Sequence, residues 1–271
     1  MDFDEYNDIL AQMMPALSTH LRYALGNLHL AAASLVPVEE REKDASLDMR
    51  AAVLDQSYYQ LLRLANNLSA AAYLAKSDPF PLRDRDMVEL VRGICEKSGQ
   101  LAERIGVKVV FSCEKAWHVC AVEREAMEQL LFQLLSNAFK FTPRGGTVTV
   151  SLNVSDRQVR LSVCDTGCGM NAERLTTLFD LREGNGMQVP PHGVGLGLPL
   201  CRRIAQGHGG TLVVKSREGE GTCVTLAIPD RQVGSAVVED VPFDYAGGFN
   251  RTLLGLADAL PASAFRARQQ D

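Results

Sequence analysis

The 271-residue chain has no apolar run approaching about 18 residues, so its sequence offers no segment long enough to span a bilayer. It has no excess of basic residues either, because 28 Lys and Arg against 33 Asp and Glu leave a formal net charge of −5. A basic field that would attract nucleic acid or an anionic membrane is therefore excluded. The opening segment, MDFDEYNDIL, lacks the basic start and apolar core of a secretory signal, which favours a cytoplasmic location.

Cysteine spacing gives no sign of a metal site. The seven cysteines are scattered and odd in number, which is typical of reduced thiols. Cys164 and Cys168 have the spacing nearest to that of a metal-binding pair, and no second pair completes a zinc site. We therefore predict that the cysteines are small, buried, reduced side chains.

Residues 4–76 predict two long helices. Apolar residues make up 46% of the chain, which is enough for a sizeable core, and the length suggests about two domains. Apolar positions recur every three or four residues, the spacing of one helical face, until Pro37 and the charged connector 39–44 separate the helices. The first stripe contains Leu10, Met14, Leu17, Leu21, Ala24, Leu28, Ala32 and Leu35, and the second contains Leu47, Val53 or Leu54, Leu61, Leu64, Leu68 and Ala72.

These helices predict an antiparallel hairpin, which we assign to residues 1–78. Because an isolated hairpin buries only one stripe of each helix, we expect two copies to form a four-helix bundle, and hence a homodimer. The alternative is that the hairpin packs on the chain's own C-terminal domain.

Residues 79–230 predict an α/β sandwich with one mixed sheet and helices on one face. The expected helices are Met87–Arg104, Glu123–Phe139 and about 197–207; the expected strands are Val107–Phe111, His118–Val122, Thr147–Asn153, Gln158–Cys164, Thr211–Ser216 and Thr222–Ile228. The tail, residues 231–271, contains a short amphipathic stretch at Leu253–Leu260. We expect this tail to dock on the domain surface, and its role is unassigned.

A polar helical face runs into the segment Ser136–Thr142. With about 100° per residue, Gln133, Asn137 and Lys140 share one face, opposite a leucine-rich face. An amide oxygen suits Mg²⁺, and a lysine beside it can meet phosphate oxygens. By itself the pattern also fits an amphipathic helix with a solvated polar face.

Two glycine-rich segments follow along the chain. Asp165 ends a strand before Gly167 and Gly169, where a carboxylate can accept a hydrogen bond from an exocyclic amine and glycines let the backbone approach a flat ring. The run GVGLGL at 193–198 opens a helix, whose N-terminal amides attract phosphate. No βαβ unit precedes this run, which argues against a Rossmann domain.

In order and spacing, these segments resemble the N, G1, G2 and G3 boxes of bacterial two-component sensor histidine kinases. The matching segments are Asn137–Thr142, Asp165–Gly169, Gly193–Leu198 and Gly219–Thr222, and the resemblance covers about residues 5–230. That family couples a dimeric helical hairpin to an ATP-binding α/β sandwich of the Bergerat type. The resemblance therefore implies ATP and Mg²⁺ as cofactors and a response-regulator receiver domain as partner. Because no sensor domain is visible, a separate sensor protein is a further candidate partner.

The resemblance also assigns the residues of a nucleotide pocket. Asp165 would hold the adenine amino group, Asn137 would coordinate Mg²⁺, and residues 180–192 would form the lid over ATP. Gly167 and Gly169 would line the base, and Thr222 would sit beside the base pocket. The phosphates would be held by Lys140 and the amides of Gly193, Gly195, Gly197 and Leu198.

The phosphoacceptor box departs from the family's Ser-His-Glu-Leu-Arg-Thr-Pro-Leu. A gapless alignment of Ser18–Leu25 places Thr19 in the histidine position, His20 in the glutamate position and Tyr23 where the family's phosphatase residue stands. Thr19 is predicted to lie about 180° from the apolar stripe and His20 about 80° from its centre. A one-residue gap would put His20 in the acceptor position and rotate the helix by about 100°.

Gln133 is the third candidate catalytic residue, after His20 and Thr19. In the family an acidic or amide residue at this position polarises the reacting histidine, and glutamine can orient that histidine without accepting its proton. Three functions stay open: a histidine kinase that phosphorylates itself and then a response regulator, a pseudokinase or scaffold that binds ATP and a regulator, and a serine kinase of the anti-sigma type. The long hairpin argues against the third.

Overall fold

The computed structural model describes residues 3–75, 80–155, 157–176, 178, 196–236 and 250–267. The chain divides into two compact units. One unit combines Met1–Ser77 with Ala246–Asp271, and the other is Asp78–Tyr245. Among the described residues, no helix has both the length and the apolarity that crossing a membrane requires.

The first unit is built on a helical hairpin, as predicted. Its long helices are α1 (Phe3–Leu35) and α3 (Ala45–Ala75), and the charged connector between them contains the short helix α2 (Val38–Lys43). The seam between α1 and α3 includes Leu25 and Ser18, both buried. Ser18 donates its hydroxyl to the Ala65 carbonyl at 2.6 Å and accepts from Ser69 at 2.7 Å.

Most residues of the apolar stripe predicted for α1 lie on a different side of the helix from the side that packs against α3. Leu21 and Leu35 are 47% and 83% exposed, and Leu61 on α3 is 51% exposed. At about 100° per residue, Leu21 and Leu28 lie roughly 60–80° around α1 from Ser18, which faces α3. The single hairpin therefore leaves an apolar face uncovered, whose exposed members are Leu17, Leu21, Leu28, Leu35, Leu54 and Leu61.

The C-terminal segment docks on a further face of α3. Helix α8 (Arg251–Leu256) and a 3-10 helix (Ala262–Phe265) bury the side chains of Leu253, Leu256, Leu260 and Phe265. Buried Arg41, in α2, donates to Asp55 at 2.8 Å, to Asp48 at 3.2 Å and to the Phe265 carbonyl at 3.1 Å. This part of the tail therefore packs on the helical hairpin and belongs to the first unit.

The second unit contains the mixed sheet that the sequence predicts. Its five strands are β2 (Lys108–Cys113), β4 (Thr147–Ser155), β5 (Gln158–Asp165), β6 (Thr211–Arg217) and β7 (Gly221–Pro229). Their order is β2-β4-β5-β7-β6, and only the β2–β4 pairing is parallel. Alternate residues such as Val150, Leu161 and Leu226 are buried, so one face of the sheet carries the core.

Helices α4 (Met87–Arg104), α5 (Arg124–Phe141) and α7 (Gly197–Gly207) contact this sheet, and a short helix α6 spans Ala172–Thr176. Asp86 caps α4, since its side chain accepts from the Val88 and Glu89 amides. A strand absent from the sequence prediction, β1 (Arg83–Asp86), pairs with β3 (Val119–Val122) in a separate two-stranded sheet. Its sequence, Arg-Asp-Arg-Asp, carries no apolar alternation.

The cysteines contradict the prediction of seven reduced, buried thiols. Cys164 on β5 and Cys223 on β7 face each other across the ladder and form a disulfide. Cys168 is exposed. Cys95, Cys120 and Cys201 are buried free thiols, as expected.

Candidate functional site

Asp165 lies where the resemblance places the base-binding carboxylate, at the last position of β5. Its Oδ1 accepts hydrogen bonds from the Gly167 amide at 2.8 Å and the Thr222 amide at 3.2 Å. Burial raises the pKa of this carboxyl group, while the two backbone amides act in the opposite direction. Because Oδ1 already accepts two amides, Oδ2 is the oxygen available to a ligand's amino group.

Gly167 and Gly169 form the loop that follows Asp165, and their own surroundings require glycine. Gly169 has φ of +64°, and a Cβ atom there would collide with the Arg217 carbonyl. A Cβ on Gly167 would collide with the Phe141 carbonyl. The absence of side chains thus lets this loop close onto the end of α5 and the end of β6, which fixes the backbone around Asp165.

Thr222 joins Asp165 from the neighbouring strand β7. Besides its amide contact with Asp165, its hydroxyl lies 2.9 Å from Ser216 Oγ. Ser216 also donates to the Gly221 carbonyl and accepts from the Met170 amide, each at 2.9 Å. Sequence reasoning missed Ser216, because nothing in its own segment, an ordinary strand, distinguishes it.

The polar face of α5 meets the N-terminus of α7. A Cβ atom on Gly197 would lie 3.1 Å from Gln133 Oε1 and 3.9 Å from Asn137 Nδ2. Gln133 is buried, whereas Asn137 and Lys140 are half-buried. The structure therefore brings Gly197 beside Gln133 and Asn137, although Gly197 is far from both in sequence.

Within the described residues, the N-terminus of α7 carries backbone donors without a side-chain cap. Leu196 is the N-cap residue and makes no side-chain capping bond, and half-buried Leu198 lies in the first turn. Uncapped first-turn amides and the helix dipole favour an anion there. Gly193, Gly195 and the predicted lid at 180–192 lie outside the described residues.

Magnesium fits this region only together with a nucleotide. Within the parts of the chain that the structure describes, no cluster of three or more His, Cys, Asp or Glu side chains could hold a metal ion. Asn137 could supply one neutral amide oxygen. Mg²⁺ commonly keeps several waters and takes further ligands from substrate phosphates, so one amide oxygen is a sufficient protein contribution.

The altered acceptor box lies on the exposed side of α1. Thr19 and His20 are both exposed. The Thr19 hydroxyl donates to the Pro15 carbonyl at 2.9 Å and accepts from Arg22 at 3.3 Å. Neither a peptide carbonyl nor a guanidinium can take the hydroxyl proton as a general base. Among the described residues, Thr19 therefore has no hydrogen-bond partner that could act as a base, and the next residue, His20, carries an imidazole.

Parts of the chain are similar to known proteins. Residues 122–232 match the family model described as histidine kinase-, DNA gyrase B-, and HSP90-like ATPase. Over 108 residues, 40% of this chain, the sequence is 44% identical to histidine protein kinase DivJ of Caulobacter vibrioides, of which it covers 18%. The first three curated relatives are covered over 18%, 45% and 54% of their length, so the chain spans little more than half of them at most.

Two solved structures share the fold. Full-length ShkA in complex with AMPPNP matches with a TM-score of 0.64 and 24% identity, over 82% of this chain and 46% of that one. Histidine kinase ThkA in complex with response regulator TrrA matches with a TM-score of 0.55 and 20% identity, over 84% of this chain and 64% of that one. Both matches extend beyond the ATPase region, and they confirm the predicted fold class.

Proposed function

We infer the function of this chain from its membership of the bacterial two-component sensor histidine kinases. We propose that it binds Mg·ATP in the second unit and acts as an ATP-dependent protein-histidine kinase whose acceptor box has been altered. The observation that carries the proposal is Asp165, with Oδ1 held by two backbone amides and Oδ2 left for the base.

The proposed nucleotide site uses three groups of residues. Asp165 would accept the adenine amino group beside Gly167, Gly169 and Thr222. Lys140 and the N-terminal amides of α7 would hold phosphate oxygens, and Asn137 would contribute the protein ligand of Mg²⁺. The bound ion would neutralise phosphate charge, which is the main requirement of phosphoryl transfer. Gln133, buried beside Gly197, would orient the attacking imidazole.

The acceptor is proposed to be His20, and its labelling is proposed to be slow. A threonine hydroxyl without a base is a poor nucleophile, whereas a neutral imidazole attacks without prior deprotonation. His20 lies about 100° around α1 from the position where the family's histidine would stand. A misplacement of even about 1 Å can cost two orders of magnitude in rate.

We also propose a homodimer and a response-regulator partner. The exposed leucines of α1 and α3 form an apolar face that a second copy would cover, giving a four-helix bundle. ThkA, which shares the fold, has been crystallised with a response regulator. The receiver domain of such a regulator is the expected recipient of the phosphoryl group.

Self-labelling with [γ-³²P]ATP tests this function. We expect slow labelling of the parent chain, with an acid-labile and alkali-stable product that is lost in His20→Ala. The double variant Thr19→His with His20→Glu rebuilds the family's box beside an unchanged ATP site, so it should label faster than the parent.

Three outcomes would contradict parts of this proposal. If the rebuilt variant labels no faster than the parent, the gapless alignment is wrong. If rapid labelling of the parent survives His20→Ala, the acceptor lies elsewhere. If neither protein labels although both bind ATP, the chain is a pseudokinase or scaffold.

A further inference from the structure

Cys164 and Cys223 form the last cross-strand pair before the proposed adenine site. They are direct partners in the antiparallel register of β5 and β7, with Cα atoms 3.9 Å apart. The next residue on β5 is Asp165, and the preceding residue on β7 is Thr222. The Thr222 amide donates to Asp165 Oδ1 at 3.2 Å, so the disulfide lies one residue from the contact that orients the carboxylate.

The pair lies on the sheet face opposite the core. Val163 precedes Cys164 and Val224 follows Cys223, and both valines are buried on the helix-covered face. Cys164 and Cys223 are partly exposed on the other face. Across the sheet, Cys223 is the register partner of exposed Lys215 on β6. A neighbouring ammonium group favours the thiolate, which is the reactive form in disulfide exchange.

We propose that Cys164 and Cys223 are a thiol–disulfide exchange site whose redox state sets the affinity of the adjacent nucleotide site. The reductant is a dithiol and the oxidant a low-molecular-weight disulfide. One thiolate of the dithiol attacks a sulfur of the pair, which breaks the disulfide and forms a mixed disulfide. The second thiolate of the dithiol then attacks the dithiol's own sulfur in the mixed disulfide and expels the protein cysteine. The dithiol ends as a disulfide, and the two cysteines of the pair end as thiols, having gained two electrons and two protons. This inference rests on the proposed ATP function.

The coupling follows from the position of the link at the end of the ladder. In the oxidised protein, a covalent bond holds the strand ends together where the Thr222 amide reaches Asp165. In the reduced protein, backbone hydrogen bonds alone hold these ends, so the orientation of Asp165 is less restricted. A less organised site must be ordered at the expense of binding free energy, and the reduced form therefore binds ATP more weakly.

A serine–threonine pair offers a matched comparison on the same face. Ser162 and Thr225, two residues further along the same strands, are register partners whose hydroxyl oxygens lie 2.9 Å apart. The double variant Cys164→Ser with Cys223→Ser should therefore keep the ladder while removing the exchange chemistry. Cys113→Ser, at a half-buried free cysteine on β2, leaves the proposed pair intact.

The test is calorimetric titration of the full chain with ATP and Mg²⁺ after equilibration with oxidised glutathione or dithiothreitol, with the disulfide mapped by mass spectrometry. We expect a Cys164–Cys223 linkage only in the oxidised sample and at least threefold weaker binding after reduction. Cys113→Ser should repeat this difference. The serine double variant should bind with one affinity, near that of the reduced parent, under both conditions.

Equal affinity of the oxidised and reduced parent would overturn the inference, as would a pair of thiols that stays reduced or links to another cysteine. These outcomes differ from failure of the proposed function, in which neither redox form would bind ATP.

Discussion

Replacing Asp165 with asparagine exchanges an acceptor for a donor at the proposed adenine contact. In the parent, Oδ1 accepts the Gly167 and Thr222 amides, which leaves Oδ2 for the ligand. An asparagine can keep its oxygen on these two amides, and its NH₂ group then points where Oδ2 was. The adenine amino group is also a donor, so the variant loses a charged hydrogen bond and places two donors together. We expect a loss of about 1.5–3 kcal/mol in ATP binding, which is about 10- to 150-fold in Kd.

Inosine triphosphate provides the control, because its base carries a carbonyl where adenine carries the amino group. The parent should discriminate against this nucleotide, since a carboxylate repels a carbonyl oxygen. The asparagine variant can donate to that carbonyl, so its preference for ATP should shrink or reverse. Calorimetric titration of both proteins with both nucleotides measures the change. Equal weakening for ATP and inosine triphosphate, or no weakening at all, would refute the assignment of Asp165 to the adenine amino group.

Three further perturbations test other parts of the molecule. Leu21→Glu places a charge on the exposed apolar face of α1 and should yield monomers in light scattering. The control Asn27→Glu, at an exposed position of the same helix, should leave the dimer intact. A parent chain that is monomeric at tens of micromolar would contradict the proposed four-helix bundle. Asp48→Ala removes a carboxylate that accepts hydrogen bonds from buried Arg41 and from Arg266, and it should lower the free energy of unfolding by about 3 kcal/mol. The control Lys43→Ala, in an exposed pair with Glu40, should change this free energy by less than about 1 kcal/mol. Equal effects of the two variants in denaturant titrations would contradict the docked tail. Burial lowers the pKa of His208, so the unfolded chain protonates this imidazole more readily than the folded chain does. The free energy of unfolding should therefore fall as the pH decreases below about 6.5. This fall should be smaller in His208→Gln, and identical pH profiles of the two proteins would contradict a buried, neutral imidazole.

The sequence predicted those parts of the fold in which pattern and spacing are strong. Helices α4 and α5 and the strands β4, β5, β6 and β7 follow clear apolar periods, and the glycine boxes carried the resemblance to the histidine kinases. Strand β1 was missed, because its four residues are all charged and it is held by pairing with β3. Local pattern carries no information about such a partner.

The tail, the disulfide and the faces of α1 depend on contacts between distant parts of the chain. Arg41 and Phe265 meet across more than two hundred residues, and no local motif announces that contact. Cys164 and Cys223 become neighbours only through the β5–β7 register. Likewise, the leucine spacing in α1 predicted an apolar stripe, yet it could not show that Ser18 and Leu25 contact α3 while Leu21 stays exposed.

Calorimetric titration of the unmodified chain with ATP, in Mg²⁺ and again in excess EDTA, tests most directly whether the nucleotide site is intact beside an altered acceptor. We expect saturable binding of one ATP per chain in Mg²⁺, weaker binding in EDTA, and unchanged affinity in Thr19→His with His20→Glu. No saturable binding of ATP under either condition would contradict it.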